Sequence, residues 1–517
     1  MSAGLNEWTE VLAALSLATD LANGHDYEKT LRSCVLAVGL AEAAGLAPTE
    51  IRDVFHTALL RFIGCSSFAH EEALLFGDDI AARQAFATVD TRDKAQLWRA
   101  GGEALQSEPS RLRRITRRGA AMVRAPARLR ELFSSQCEVG MRFGARLSLG
   151  PAVVSALGQI HERWDGAGGP AGLREHGLAA VVRVVQVANL AELMHRRLGI
   201  DAAVDVVGQR RAGALAPDLC DVFKANAPAL FSPLASGSAW DEFVAIGARF
   251  PMIGPEHHVD DVITAFADVV DLASIYTLGH SRAVARVAVS GAENLGLPEQ
   301  EITELRRAAL LHDVGRVAVP ASIWEKREPL TAADWERIRL HAYYGDRILG
   351  RAPALQRVAA IARAAHERCD GSGYPRAVDG PGLPPAARIL GAADVYCALV
   401  EDRPHRPAWS RAQAQTELGR EVEAGRLDAD AVDAVLGVKL ADKRREPSYP
   451  ADLTAREVEV IRWVARGETN KEVGSRLGIS PRTVGHHLGH AFEKVGVSTR
   501  AALALFAVEN ELLAPRS

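Results

Sequence analysis

The chain has 517 residues, 48% of them hydrophobic and 24% charged, with a formal net charge of −4. This length holds three or more domains with cores of their own, and the charge balance excludes a basic coat for nucleic acid. No apolar run is long enough to span a bilayer and no signal peptide is evident, so a cytoplasmic protein with no membrane role is expected.

Helical spacing dominates the chain, with little β-alternation, and predicts an all-α fold. In the first 200 residues, ALLRFIGC runs from Ala58 to Cys65, and AHEEALLFGDDI carries His70, Asp78 and Asp79, which reads as a solvated acidic loop. The arginine-rich stretch from Arg111 reads as a solvated helix face. HERWDGAGGP, from His161, returns as HERCDGSGYP from His366, an offset of 205 residues (366−161). The same offset maps Asn189 onto Asp394 (394−189), so the chain contains an internal repeat. FSPLASGSAW then marks a turn inside a helical connector. The six cysteines, Cys34, Cys65, Cys137, Cys220, Cys369 and Cys397, show no paired metal spacing and are expected reduced.

The second half carries the chemistry. In LRRAALLHDVGRVAVP the apolar residues Leu305, Ala308, Ala309 and Leu311 recur at helical spacing, which puts His312 and Asp313 at the end of a buried helix. Gly315 then loosens the backbone and Pro320 stops the helix from continuing. His341, His366 and Asp394 follow in order, and His280 precedes them in the helical segment YTLGHSRAVARVAV. Imidazoles and carboxylates suit iron, manganese or zinc, and a carboxylate can bridge two ions that share a water, an arrangement used in phosphodiester hydrolysis. A helical bundle can gather all six groups in its core.

Residues 259 to 447, with YTLGHSR, LLHDVGR, RLHAYYG, HERCDGSGYP and ARILGAADVYCAL followed by EDRPHR, resemble an HD-GYP domain, the HD-superfamily branch whose active members hydrolyse cyclic di-GMP. The resemblance implies a divalent metal held by His280, His312, Asp313, His341, His366 and Asp394, with His312, Asp313 and Arg316 as the catalytic group. It also implies a ligand-binding loop formed by Gly371, Gly373, Tyr374 and Pro375, with Arg403 nearby. Two positions depart from the family pattern: Ala365 stands where the family has the first of two adjacent histidines, and Arg316 where it has lysine. The first half then resembles a degenerate copy, with Arg61 and Phe62 in place of the His-Asp pair and Asn189 in place of the aspartate. A guanidinium there repels a metal ion, so that copy is expected to be a scaffold, a dimerisation surface or a ligand sensor.

From Asp452 onward four short helices are predicted. Thr454 caps the first in a capping box with Glu457, Gly467 ends it, Asn470 caps the second, Gly478 ends that one, and Ser480 with Pro481 opens the third. This tail resembles a LuxR-type DNA-binding domain through its LT-x-RE, N-K-E-V, SPRTV and Lys-Val-Gly-Val strings. The resemblance implies that the helix from Pro481 to Val495 enters the major groove, with Arg482, Thr483, His486 and His487 at the DNA and Lys471 and Lys494 on phosphates. Val473, Leu477, Ile479, Val484, Leu488, Phe492 and Val495 are expected in its core.

The expected architecture is two HD-superfamily helical bundles in tandem plus a small four-helix helix-turn-helix domain. Its spans are 1–199 for the degenerate copy, 200–258 for the connector, 259–447 for the metal-binding copy and 448–517 for the DNA-binding tail, with an exposed hinge in DKRREPSYPADL. The expected function is a transcriptional regulator that binds double-stranded DNA as a homodimer and senses or hydrolyses a cyclic dinucleotide. The alternatives are an active phosphodiesterase merely localised by its tail, and a scaffold with no small ligand.

Overall fold

The computed structural model describes residues 3–106, 111–250, 259–437 and 449–513. Among them every regular element is a helix, and the chain divides into two compact units, residues 1–259 and 260–517. The expected all-α class is what the structure shows.

In the first unit α1 (Ala3–Ala22), α3 (Pro48–Leu60) and α4 (Ala180–Leu198) surround α2 (Lys29–Ala43), whose apolar residues from Leu31 to Ala41 are almost wholly buried. The segment expected as a connector behaves differently from a linker. Its helices α5 (Pro217–Ser236) and α6 (Ala239–Gly247) pack on α2, and helix Ile200–Gln209 packs on α4, so residues 200–247 complete this unit's core. Phe223, Phe231 and Phe243 are buried there, and the helix runs through Pro228 and Pro233, so FSPLASGSAW breaks only at Gly237. His70, Asp78 and Asp79 do not form a solvated loop: Asp78 caps helix Asp79–Phe86, while Asp79 and Glu72 bind Arg83 at 3.0 and 2.7 Å. The arginine-rich stretch falls within helix Arg111–Arg146, with residues 111–127 outside the described side chains.

The second unit repeats this plan. α7 (Val259–Asp271), α8 (His280–Asn294), α9 (Glu299–Leu311), α10 (Ala332–Leu349), α11 (Gln356–Ala362) and α12 (Pro385–Val400) form a bundle in which α8 packs on α9 and α12, and α9 on α11. Gly315 lets the turn after His312 lie directly on α10, because a β-carbon there would sit 2.0 Å from the His341 carbonyl oxygen.

The tail forms α13 (Ala455–Ala465), α14 (Asn470–Leu477), α15 (Pro481–Val495) and α16 (Arg500–Glu509). Its core contains Val473, Val484 and Leu488, with Leu477, Ile479, Phe492 and Val495 packed against it, as the apolar spacing requires. Thr454 and Glu457 form the expected capping box, and Ser480 caps α15 with Pro481 at its first position. Asn470 is not the cap of α14. Thr469 takes that place in a second capping box with Glu472, and the Asn470 side chain accepts from Arg500 at 2.7 Å instead. Gly478 ends α14 in the left-handed region (φ 66), and the missing side chain of Gly474 lets the turn close, since a β-carbon would meet the Ile479 carbonyl at 2.6 Å. The proposed hinge lies mostly in residues 438–448, outside the described residues.

Candidate metal centre and DNA-reading helix

Four of the six metal-ligating candidates sit where a helix starts or ends, and two lie inside helices. His280 opens α8, His312 and Asp313 follow α9, His341 and Asp394 lie inside α10 and α12, and His366 follows α11. All six come together, in two buried triplets: His280, His312 and Asp394 form one, and Asp313, His341 and His366 the other.

Asp313 stands between the triplets. Its Oδ1 lies 3.3 and 3.5 Å from the Nε2 atoms of His341 and His366, while Oδ2 lies 3.4 and 3.8 Å from those of His312 and His280. Asp394 faces both groups too, with Oδ1 3.3 Å from His280 and Oδ2 3.5 Å from His366.

The imidazoles are oriented for ligation. A backbone carbonyl can only accept, so His312 Nδ1–H donates to the Ala309 oxygen at 2.8 Å and His341 Nδ1–H donates to that of Ile338. The Nε2 lone pair of His312 therefore faces carboxylate oxygen, acceptor against acceptor, which a cation resolves, while that of His341 lies 2.8 Å from His366 Nε2 and 3.3 Å from Asp313 Oδ1. His312 Nε2 and Asp313 Oδ1 are indeed buried with no well-formed hydrogen bond. The residues fit a divalent metal, and four imidazoles with two carboxylates are the donor set for iron, manganese or zinc.

The electrostatics agree. Burial opposes the charge of both aspartates, yet Arg316 and His312 hold Asp313 well below the usual carboxylate range, and His280, His312 and His366 do the same for Asp394. Burial disfavours His280 as an imidazolium, but Glu401 and Asp394 outweigh it and carry its pKa to about 10. Positive charge is thus favoured in this pocket, as a proton on His280 or as a bound ion.

Sequence reasoning missed Glu401, whose carboxylate accepts from His280 Nδ1 at 2.8 Å and fixes that ring. It lies in EDRPHR, two residues before Arg403. Arg403 is not open to a ligand in the way expected: its fork holds Glu401 at 3.1 Å and the Tyr276 carbonyl at 3.2 Å. Arg316 commits one arm to Asp313 at 2.6 Å and lies 4.0 Å from the centre of the Trp324 ring. In the loop, Tyr374 stacks on His366 with ring centres 5.1 Å apart. Gly371 turns the chain at φ 76, and Gly373 lets the loop fold onto Glu367, where a β-carbon would come within 2.4 Å of backbone atoms. Glu367 then accepts from the amides of Arg376 and Val378 at 2.8 and 3.0 Å, which fixes the loop beside the triplets.

On the tail, Lys471, Arg482 and His486 are exposed and His487 is half-buried, all on α14 and α15. Thr483 bonds the capping hydroxyl of Ser480 at 2.8 Å. Lys494 is not free for phosphate: its ammonium donates to Glu457 at 2.8 Å and to the Asp452 carbonyl at 3.0 Å.

Residues 265–431 match the family model described as HD domain, and residues 451–507 match that of bacterial regulatory proteins, luxR family. The chain carries an HD domain and a LuxR-type helix-turn-helix. Among similar proteins is a 3'3'-cGAMP-specific phosphodiesterase 3 of Vibrio cholerae serotype O1, 28% identical over 77% of this chain and 88% of that protein. A cyclic di-GMP phosphodiesterase response regulator, RpfG, of Xanthomonas campestris pv. campestris is 35% identical over 35% of this chain and 48% of its own length. The crystal structure of a cyclic GMP-AMP specific phosphodiesterase of V. cholerae (V-cGAP3) matches the fold with a TM-score of 0.55 at 23% identity, covering 83% of this chain and 96% of that one. No helix among the described residues is long and apolar enough to cross a membrane.

Proposed function

We propose that the protein is a cytoplasmic transcriptional regulator whose HD domain binds a divalent metal and a cyclic dinucleotide, and whose LuxR-type tail reads DNA as a homodimer. The observation that carries this reading is Asp313, placed with one oxygen toward each triplet beside a loop in which Tyr374 stacks on His366. His280, His312 and Asp394 would hold one ion and Asp313, His341 and His366 a second. Such ions supply Lewis-acid polarisation of a phosphodiester and a nucleophile at neutral pH. Glu401 orients His280, Arg316 holds Asp313 ionised, and Gly371, Gly373, Tyr374 and Pro375 form the rim against which a nucleobase or ribose would rest.

A second reading, active hydrolysis, is favoured by the completeness of both triplets despite Ala365. The similarity over most of its length to a 3'3'-cGAMP-specific phosphodiesterase supports the ligand class. Support for communication with the tail comes from Asp402, next to Glu401, which lies 3.8 Å from Arg466 of the tail, and from Arg286 of α8, which pairs with Glu511 at 3.2 Å. Both pairs are exposed and worth well under about 1 kcal/mol, weak enough for a bound ligand to shift.

The test combines metal analysis of the purified chain, chromatography of 3'3'-cGAMP and cyclic di-GMP after incubation with manganese or ferrous iron, and gel-shift titration with and without either dinucleotide. Metal present, a dinucleotide bound, and a DNA affinity that depends on it are expected. A chain that holds no metal and whose DNA binding ignores both dinucleotides refutes the reading.

A further inference from the structure

The first unit reproduces the frame of the metal centre with the sign of its charges reversed. α2 and α8 start at equivalent places, 251 residues apart (280−29), each after a residue in the left-handed region, Glu28 at φ 67 and Gly279 at φ 76. Asp20 accepts from the Thr30 amide and hydroxyl at 3.1 and 2.5 Å, as Asp271 (271−20=251) accepts from those of Ser281 at 2.9 and 2.8 Å. On this frame Lys29 stands at the position of His280, Arg61 at that of His312 and Phe62 at that of Asp313 (313−62=251). With the second offset of 205, His161 stands for His366 and Asn189 for Asp394.

These groups converge. The Lys29 ammonium donates to the Asn189 side-chain oxygen and lies 4.2 Å from the centre of the Phe62 ring. The Arg61 guanidinium lies 5.5 Å from that ring, and the His25 ring 5.3 Å from it. His161 stacks on Phe133, as His366 does on Tyr374.

Among the described residues neither basic group is hydrogen-bonded to a carboxylate: Lys29 is fully enclosed, with burial lowering its pKa to about 7, and Arg61 is half-buried. Arg61 donates only to the Ile160 carbonyl, at 3.3 Å, and its Nε is buried with no partner, as is His161 Nε2. The acidic groups nearby bond other partners, Asp20 with Thr30 and Glu192 Oε1 with Arg32 at 2.9 Å and Arg196 at 3.3 Å; Glu192 Oε2 is left without a hydrogen bond, and both carboxylates act on Lys29 only through space. The remaining neighbours, Cys65 and Cys137, are pushed up by burial to about 11 and 12 and stay neutral. A guanidinium N–H enclosed without an acceptor, as at Arg61 Nε, is costly, and an oxyanion that takes two parallel N–H bonds removes the cost.

We propose that the first unit is an oxyanion receptor, in which Arg61 and Lys29 bind a phosphate or phosphodiester group at the place where the second unit gathers metal ligands. Access lies on the side of Arg61, Phe62 and His161, which are half-buried, whereas Lys29 is fully enclosed. The inference stands on this unit's own residues and does not need the HD domain to be catalytic.

The test uses the full chain carrying His312→Ala and Asp313→Ala, which removes the second unit's ligand set, and titrates it by calorimetry with inorganic phosphate, 3'3'-cGAMP and cyclic di-GMP. One equivalent should bind, and adding Arg61→Met or Lys29→Met should weaken binding roughly tenfold or more. Phosphate alone as ligand assigns the site to the free anion, and a dinucleotide assigns it to a phosphodiester; both support the proposal. Thermal melting provides a readout independent of affinity: in anion-free buffer Arg61→Met should melt no lower than its parent, and it should lose the rise that ligand gives the parent. Binding of none of the three ligands overturns the proposal, as does binding that both substitutions leave intact. Metal content and hydrolysis measured on Arg61→Met alone report the second unit separately, so failure of that reading shows in a different assay.

Discussion

Removing the Glu401 carboxylate tests whether the buried cluster is a metal site or a self-contained hydrogen-bond network. Glu401 touches the candidate ligands only through His280 Nδ1, at 2.8 Å, and Arg403 holds it from the other side at 3.1 Å. Glu401→Gln keeps an acceptor of the same reach but turns a charge-assisted bond into a neutral one of about half the strength. The loss to the ligated state is then about 1–1.5 kcal/mol, or roughly tenfold in metal affinity, at the low end of what residues behind a ligand contribute. Glu401→Ala also frees the ring to rotate and should cost about a hundredfold. Competition between the protein and a chelator of known affinity, with metal counted after gel filtration, gives both numbers. Equal affinity in wild type and both variants would mean that His280 does not ligate, and would remove one triplet from the assignment.

Four more outcomes are expected. Arg482→Ala should weaken specific DNA binding by about 1–3 kcal/mol, and Lys471→Ala should weaken specific and non-specific binding alike, both read by gel shift at fixed salt. Lys494→Met should act on folding instead, since it leaves the buried Glu457 without its ammonium; about 1–2 kcal/mol of lost stability is expected by melting, less than for a fully enclosed pair because Lys494 is partly exposed. Ala365→His places an imidazole where the side chain is fully buried, so it should lower stability by about 1–3 kcal/mol while raising metal stoichiometry and hydrolysis; unchanged stoichiometry would show that the six existing ligands already saturate the pocket.

The parts of this molecule legible in its sequence are those fixed by local chemistry. The apolar spacing before His312 placed that residue at the end of α9, and the cap and glycine signals of the tail placed α13 to α15 nearly residue by residue. Thr469 and Asn470 are both good caps, and the local capping box with Glu472 decides for Thr469, while Arg500, thirty residues away, takes up the Asn470 side chain. Most of what stayed hidden depends on contacts distant in sequence. Lys494 has the composition of a phosphate contact, but folding brings Glu457 against it. The helices of 200–247 have amphipathic patterns that suit a connector or a core equally well, and α2 and α4 are what they cover. The equivalence of Lys29 with His280 is masked because the spacing between the repeats changes from 251 residues to 205 along the chain. The shared DLA at 20–22 and 271–273 is the signal that could have found it.

The repeat also bears on what holds the HD domain together. In the first unit the equivalent helix start is fixed by Asp20 and Thr30 with ligand positions occupied by Lys29, Arg61, Phe62 and Asn189, so the frame forms there without a ligand set. The second unit uses the same device, Asp271 with Ser281, and a core in which Val284, Ala288, Leu305, Ala309, Ile389 and Ala393 are fully buried. Its metal should accordingly add stability to a bundle that is already folded, unlike small zinc modules whose folding energy is the metal itself. Treatment with a chelator is expected to lower the melting temperature and abolish any hydrolysis while leaving the far-ultraviolet dichroism nearly unchanged. Loss of a large share of the helical signal on metal removal would show that the ligands, and not this frame, hold the second bundle together.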